Sequence, residues 1–265
     1  MADAVAAPTT CKHCHGTGFE IRGAPDGVER AIRCACRDAR REALLLAAAA
    51  IPRRYEHCTL DGFENHHASQ GQALQLARRF VKEYPMGDAG LLLTGPCGSG
   101  KTHLVVGVLR ALILERGARC LFYDFQDLLK EIQSSYSPVS QASETEILKP
   151  VFDADVLVLD DLGAQKPTAW VRDTVAHIIN NRYNDRRTTI FTTNRPDAPD
   201  TRAPSRGRLE SGEATLLDQI GERIHSRLYE MCVVVPLDGD DYRRTFKHPG
   251  VRSQMEGPQA RRRPV

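Results

Sequence analysis

The apolar residues of this chain fall into short unbroken runs separated by amphipathic stretches, which is the alternation of an α/β fold. Leu91 to Leu93, Cys120 to Tyr123, Val156 to Leu159, the run TTIFTTN ending at Asn194, and Cys232 to Leu237 each read as a strand. Between them the apolar period lengthens to that of a helix. Leu104, Val105, Val108 and Leu109 form one stripe, and Phe125, Leu128, Leu129 and Ile132 a second. Trp170, Val171, Val175, Ile178, Ile179 and Tyr183 form a third, and a further helix is expected from Leu217 to Tyr229. The apolar patch Ala43 to Ala50 is too short to span a bilayer and reads as a connector helix packed on another element. The turn-rich stretch Ser134 to Glu144 reads as an interruption, and Pro196 to Ala214, rich in Pro, Gly and charge, as a mobile loop. The expectation is a five-stranded parallel sheet.

The first of these strands runs straight into LLLTGPCGSGKTHL, where Gly95, Gly100, Lys101 and Thr102 fill G-x-x-x-x-G-K-T. A strand before the motif and a helix after it are the setting a phosphate-binding P-loop requires. The glycines let the backbone bend so that several N–H groups point inward, and the helix N-terminus adds the positive end of its dipole. Gly95, Pro96, Cys97, Gly98, Ser99 and Gly100 would cradle a polyphosphate, with Lys101 reaching its β- and γ-phosphates and Thr102 holding Mg²⁺. The acidic pair Asp160 and Asp161 closes an apolar strand, as in an element where the first carboxylate holds the Mg²⁺ hydration shell and the second polarises the attacking water. Asn194 would sense the γ-phosphate or its water if its strand lies between those two; the plainer reading is a turn former before Arg195 and Pro196. Arg223 and Arg227, one turn apart, are either solvated surface or an arginine finger offered to a neighbouring subunit's γ-phosphate. His177 reads as an ordinary helix histidine.

At 265 residues there is room for one full-sized domain and a small appendage. With 36 Lys and Arg against 34 Asp and Glu, the overall charge points to neither nucleic acid nor membrane. The basic end, finishing in Arg261, Arg262 and Arg263, reads as a solvated tail or a nucleic-acid tether. No apolar run reaches the roughly 18 residues of a membrane span, and the start lacks the pattern of a secretory signal, so a cytoplasmic location is expected. In a reducing compartment the eight cysteines are thiols or metal ligands more than disulfides. Cys11 and Cys14 form C-x2-C, and after a hairpin-sized, glycine-containing stretch Cys34 and Cys36 form C-x-C. Two close pairs can deliver four thiolates to one structural Zn²⁺, and a segment with so little core would take most of its folding free energy from the metal. Unrelated buried thiols, or a substitution by His13 or His15, are the alternatives. Cys58, Cys97, Cys120 and Cys232 are scattered singly and read as small thiols.

The order P-loop, DDLG, FTTN and IGERIHSRLYEMC is similar to the AAA+ ATPases of the DnaC/DnaI helicase-loader and IstB transposition-helper group, over roughly Pro52 to Arg244. Its most specific parts are VLVLDDLGAQ, the IINNRY and RTTIFTTNRP runs, and IGERIHSRLYEMC. The resemblance implies a P-loop AAA+ core, with Gly95 to Thr102 as Walker A, Asp160 and Asp161 as Walker B and Asn194 as sensor 1. Arg227 would be the finger acting in trans, with Arg223 in second place. Asp161 stands where many AAA+ proteins have Glu, and its shorter reach implies slow hydrolysis. GDDYRR (Gly239 to Arg244) resembles the family's closing motif, and too little chain follows Leu237 for a helical lid domain. The expected division is a zinc module with connector helix over 1–50, an ATPase domain over 51–244 and a basic tail over 245–265. The implied partners are a replicative helicase, single-stranded DNA and further copies of the chain, with ATP, Mg²⁺ and Zn²⁺ as cofactors and no membrane. DNA contact is expected from Phe125 to Val139 and from Arg186 and Arg187. A transposition helper on duplex DNA and a nucleotide-gated adaptor with negligible turnover are the alternative functions.

Overall fold

The computed structural model describes residues 11–23, 28–85, 89–137, 142–197 and 214–245. The arginines at 261–263, most of the expected mobile loop and all but one residue of the expected basic tail lie outside them.

The five expected strands are all present: β3 (Gly90–Thr94), β4 (Cys120–Asp124), β5 (Val156–Asp160), β6 (Thr188–Thr193) and β7 (Cys232–Pro236). They form one sheet in the order β4-β5-β6-β3-β7, with every neighbouring pair parallel. Because successive side chains of a strand point to opposite faces, each strand supplies two layers of core. Leu92, Leu157, Leu159 and Phe191 face one layer; Leu91, Leu93, Val156, Val158 and Ile190 face the other. Apolar residues on both faces, rather than an alternation of apolar and polar, are what a parallel sheet covered by helices demands.

The first layer is closed by α4 (Phe125–Ser135), α5 (Glu144–Asp153), α6 (Ala169–Asn184), α7 (Leu216–Ile220) and α8 (Glu222–Met231), and the second by α2 (Ala68–Glu83) and α3 (Lys101–Ala111). The helix starts follow local side-chain chemistry. Asp124, Ser143, Thr168 and Thr215 each accept a hydrogen bond from an N–H of the first turn, and Ser143 and Thr215 complete capping boxes with Glu146 and Asp218. The single helix expected from Leu217 to Tyr229 is in fact two. Gly221, at φ 81°, takes the chain out of α7 while donating its N–H to Leu217 O, and α8 begins at the next residue. Helix α2 has no counterpart among the expected elements: its buried face is Gln70, Ala73, Ala77 and Val81, too small and polar to register as an apolar stripe.

The segment before the sheet holds an antiparallel hairpin, β1 (Phe19–Gly23) and β2 (Glu29–Arg33), followed by α1 (Ala35–Ala48). The connector helix thus begins among the cysteines instead of at Ala43. It does pack on the sheet, since Ala49 is fully buried and its carbonyl accepts from Phe122 N in edge strand β4. Among the described residues no helix is long and apolar enough to cross a membrane. A short helix α9 (Tyr242–Thr245) is the one described element after β7.

Candidate nucleotide-binding site

Strand β3 sits inside the sheet between β6 and β7, so the loop that leaves its C-terminal end opens into a crevice between neighbouring strand ends. Gly95 to Gly100 make that loop, and Gly100, at φ 98°, is the N-cap of α3. Two of its glycines are required by space as well as by φ. A Cβ on Gly95 would lie 1.9 Å from Leu237 O, and one on Gly98 would lie 2.0 Å from Asp241 Oδ1. Lys101 follows, nearly buried, its Nζ donating to Gly95 O and Pro96 O at 2.8 Å each. Burial pushes its pKa down to about 8, against the opposing pull of Cys97, Asp160 and Asp161.

The acidic strand lies one strand beyond β6, and Thr192 of β6 ties the two together. Its hydroxyl donates to Asp160 Oδ1 at 2.6 Å and accepts from Asp161 N at 2.9 Å. Thr102 Oγ1 reaches across from α3 to both carboxylate oxygens of Asp160, at 3.0 and 3.1 Å. Burial raises the pKa of Asp160 against these two hydroxyls. Asp161 has left the strand and sits at φ 61°, a left-handed conformation rare outside glycine and found where a site imposes it. That turn aims its carboxylate at Asn194, whose Nδ2 donates to Asp161 Oδ1. The condition set for Asn194 is met: β6 stands between β3 and β5, and the amide meets the second acidic residue directly.

These residues surround a cavity of about 990 Å³, in the size range of small-molecule sites. Cys97 to Thr102, Asp124, Asp160, Asp161, Thr192 and Asn194 line one side. The donor set fits a metal-bound polyphosphate: a lysine and a bent N–H-rich loop for the phosphates, and a hydroxyl with two carboxylates for a hard cation. A further part of the lining lies outside the residues expected at the site. His57, Phe63, His66 and His67 come from the segment before α2, and Tyr242 and Arg243 from α9. Tyr242 N donates to Gly98 O and its hydroxyl to Glu64, so the closing motif folds back over the phosphate loop. GDDYRR was the only sequence signal for this wall; the 57–67 segment carries no periodicity that could have marked it.

Arg223 and Arg227 stand apart. Both lie on α8 and neither lines the cavity of its own chain. Arg223 is exposed, whereas Arg227 is half-buried with its guanidinium 5.2 Å from the centre of the Tyr183 ring. Arg187, one of the residues expected at DNA, is ion-paired with Asp155 at 3.4 Å. Its strand end is the one remote from the cavity.

The four N-terminal cysteines converge. All four Sγ atoms lie within 4.8 Å of one another, with Cys11 to Cys34 at 3.7 Å and Cys14 to Cys36 at 3.3 Å. Thiolates around one Zn²⁺ at about 2.3 Å would stand about 3.8 Å apart, so the cluster fits that ion. His15 N donates to Cys11 O and Gly18 N to Cys14 Sγ, the tight turn the C-x2-C spacing needs. His13 and His15 are exposed and outside the cluster. The other four thiols are separate: Cys58, Cys120 and Cys232 are buried, and Cys97 is exposed in the phosphate loop.

Because β6 separates the phosphate-loop strand from the acidic strand, the fold and its site define an ATP-binding protein of the AAA+ kind. The family model described as IstB-like ATP binding protein matches residues 29–249, and the chain belongs to that family. Over 150 residues it is 25% identical to the replicative helicase loader DnaC of Buchnera aphidicola subsp. Acyrthosiphon pisum, a match covering 57% of this chain and 61% of that protein. Over 267 residues it is 23% identical to the phage-like element PBSX protein XkdC of Bacillus subtilis, covering 95% and 91%. The crystal structure of a DnaC helicase loader superposes with a TM-score of 0.59 at 34% identity, covering 70% of this chain and 99% of that one. The chain therefore spans about three-fifths of the length of the curated DnaC relative and nearly all of XkdC.

Proposed function

We propose that the protein is an ATP-dependent loader that places a replicative helicase on single-stranded DNA, with ATP binding and hydrolysis as its switch. The observation that carries this reading is the joining of Thr102, Thr192, Asp160, Asp161 and Asn194 into one hydrogen-bonded group beside the phosphate loop, on a fold similar to a DnaC helicase loader. The N–H groups of Cys97 to Gly100 hold the phosphates, and Lys101 exchanges its two carbonyl partners for the β- and γ-phosphate oxygens. Thr102 and Asp160 hold Mg²⁺, which supplies neutralisation of phosphate charge when bound. Asp161 orients the attacking water, and Asn194 fixes Asp161. The carboxylate of Asp161 is a methylene shorter than that of Glu, which supports slow turnover. Arg227 of a neighbouring copy, with Arg223 second to it, completes the site in trans, consistent with their place outside the chain's own cavity.

Residues 1–50 act as the zinc-held module that docks on the helicase, 51–244 as the ATPase domain and 245–265 as a basic tail, in a cytoplasmic protein. The test is capture of a replicative helicase by the full chain in Mg²⁺ and ATP, compared with Cys11→Ser/Cys14→Ser. Binding by the wild type that the double variant loses supports the loader; no binding by the wild type overturns it. A second reading, resting on the resemblance to IstB-type helpers, is a transposition helper on duplex DNA. A preference for duplex over single-stranded DNA, together with stimulation of a transposase, would establish that instead. A nucleotide-gated adaptor is distinguished by equal, negligible ATP turnover in the wild type and Asp161→Asn.

A further inference from the structure

Arg227 lies on the face of α8 that meets α6, between the buried residues Ile224 and Leu228 and beside Tyr183. The Tyr183 ring lies under the guanidinium, and the ring is itself anchored. Its hydroxyl donates to Glu230 Oε1 at 2.8 Å, and Glu230 is one turn along α8 from Arg227. Its body packs on the main core cluster beside the sheet. The Tyr183–Glu230 bond thus spans α6 and α8 and fixes the platform relative to the helix that carries the arginine. Arg227 Nη1 is shielded from solvent and has no hydrogen-bond partner among the described residues. A buried, unpaired guanidinium N–H is costly, and the fork geometry of arginine matches phosphate oxygens. A ring face can orient such a cation without satisfying its N–H donors, because the attraction is to the ring quadrupole.

We propose that Tyr183 is the positioning residue for Arg227: the ring holds the guanidinium in a defined direction, and the part of this half-buried side chain that is not shielded meets an anion on a neighbouring copy. The inference rests on the reading of Arg227 as a finger acting in trans, and it adds the residue that makes the finger competent. Tyr183 itself touches no substrate. Its effect is to spare the long arginine side chain the rotamer entropy of being ordered when copies assemble.

The experiment uses the full chain with Arg227→Ala, Tyr183→Leu and Tyr183→Phe. ATP turnover and ATP-induced self-association by sedimentation are read alongside ATP binding and thermal melting. Arg227→Ala should lose turnover and self-association while binding ATP as the wild type does. Tyr183→Leu should lose about tenfold in turnover, the scale of a partly desolvated cation–π contact, and weaken self-association, with ATP binding unchanged. Tyr183→Phe keeps the ring and should stay within about twofold of wild type, even though it loses the Glu230 bond. Should Tyr183→Leu melt early, the aromatic rescue decides: turnover that follows the melting temperature instead of the presence of a ring overturns the proposal. So does wild-type turnover and self-association in Tyr183→Leu. If Arg227→Ala leaves both readouts unchanged, the finger reading itself fails; if Arg227→Ala lowers them and Tyr183→Leu does not, only the Tyr183 proposal fails.

Discussion

Arg182 is the largest fully buried side chain among the described residues, and replacing it tests how the starts of β5 and β6 are held in place. Its Nε donates to Thr189 Oγ1 at 2.8 Å, its Nη2 to Thr188 O at 2.6 Å, and its Nη1 to Val151 O at 2.8 Å and Ala154 O at 3.0 Å. One side chain on α6 thereby fastens the end of α5, the turn into β5 and the start of β6. Each of these partners is neutral, and burial pushes the arginine pKa down to about 9. Arg182→Leu removes the charge together with its bonds, so it leaves no orphaned carboxylate behind. It does leave buried carbonyls that accepted from the guanidinium, each costing about 1–3 kcal/mol if nothing replaces the donor. Relief from desolvating an unpaired cation offsets part of that loss. The net expectation is a destabilisation of about 3 kcal/mol, or a fall in Tm of roughly 6–12 °C for a domain of this size. Arg182→Lys keeps the charge but not the planar fork, and should fall between wild type and Leu. Urea unfolding midpoints at constant slope measure the change. A shift below about 0.5 kcal/mol for Arg182→Leu would refute the argument that these bonds staple the end of α5 and the turn into β5 to the start of β6.

Three further outcomes are expected. Asp161→Asn should bind ATP normally and lose at least about tenfold in turnover, measured by phosphate release, because the amide can still pair with Asn194 but cannot accept a proton from water. Lys101, with a pKa of about 8 against an ordinary 10.5, is charged below pH 8 and increasingly neutral above it. ATP affinity should therefore weaken by roughly tenfold per pH unit above about 8, as read by calorimetry, and a flat profile to pH 9 would contradict the assignment. Over the window from the folded pKa to the unfolded one, the unfolded chain binds the extra proton, so this lysine makes stability rise with pH there. Cys34→Ser should lower zinc from one atom per chain towards zero by metal analysis, and a chelator should unfold the β1–β2 hairpin of the wild type, seen as lost amide protection, while leaving ATP binding intact.

Runs of residues sufficed to place the five strands, the phosphate loop, the acidic pair and the four thiols, because each of these is a local pattern. The apolar strands are continuous since both faces of a parallel sheet are covered, and Gly95 to Thr102 carry their chemistry within eight consecutive positions. Helix α2 and the wall at 57–67 left no such trace, as small and polar residues do their packing against elements distant in sequence. The split at Gly221 was hidden for a similar reason: the glycine interrupts a helix whose apolar spacing survives on both sides of it.

The order of the strands was decided in three dimensions. Nothing in TTIFTTN says that β6 lies between β3 and β5, yet that placement is what brings Thr192 to Asp160 and Asn194 to Asp161. The left-handed turn at Asp161 likewise depends on Thr192 receiving its N–H. Sequence by itself determined which residues form the phosphate-loop motif and which thiols gather, since those sites are built from neighbours along the chain. The tertiary structure alone decided how the carboxylates are held, that α9 closes over the loop, and that Arg227 rests on Tyr183 outside the lining of its own cavity. Those contacts join residues from separate elements, and only the packed sheet determines their distances.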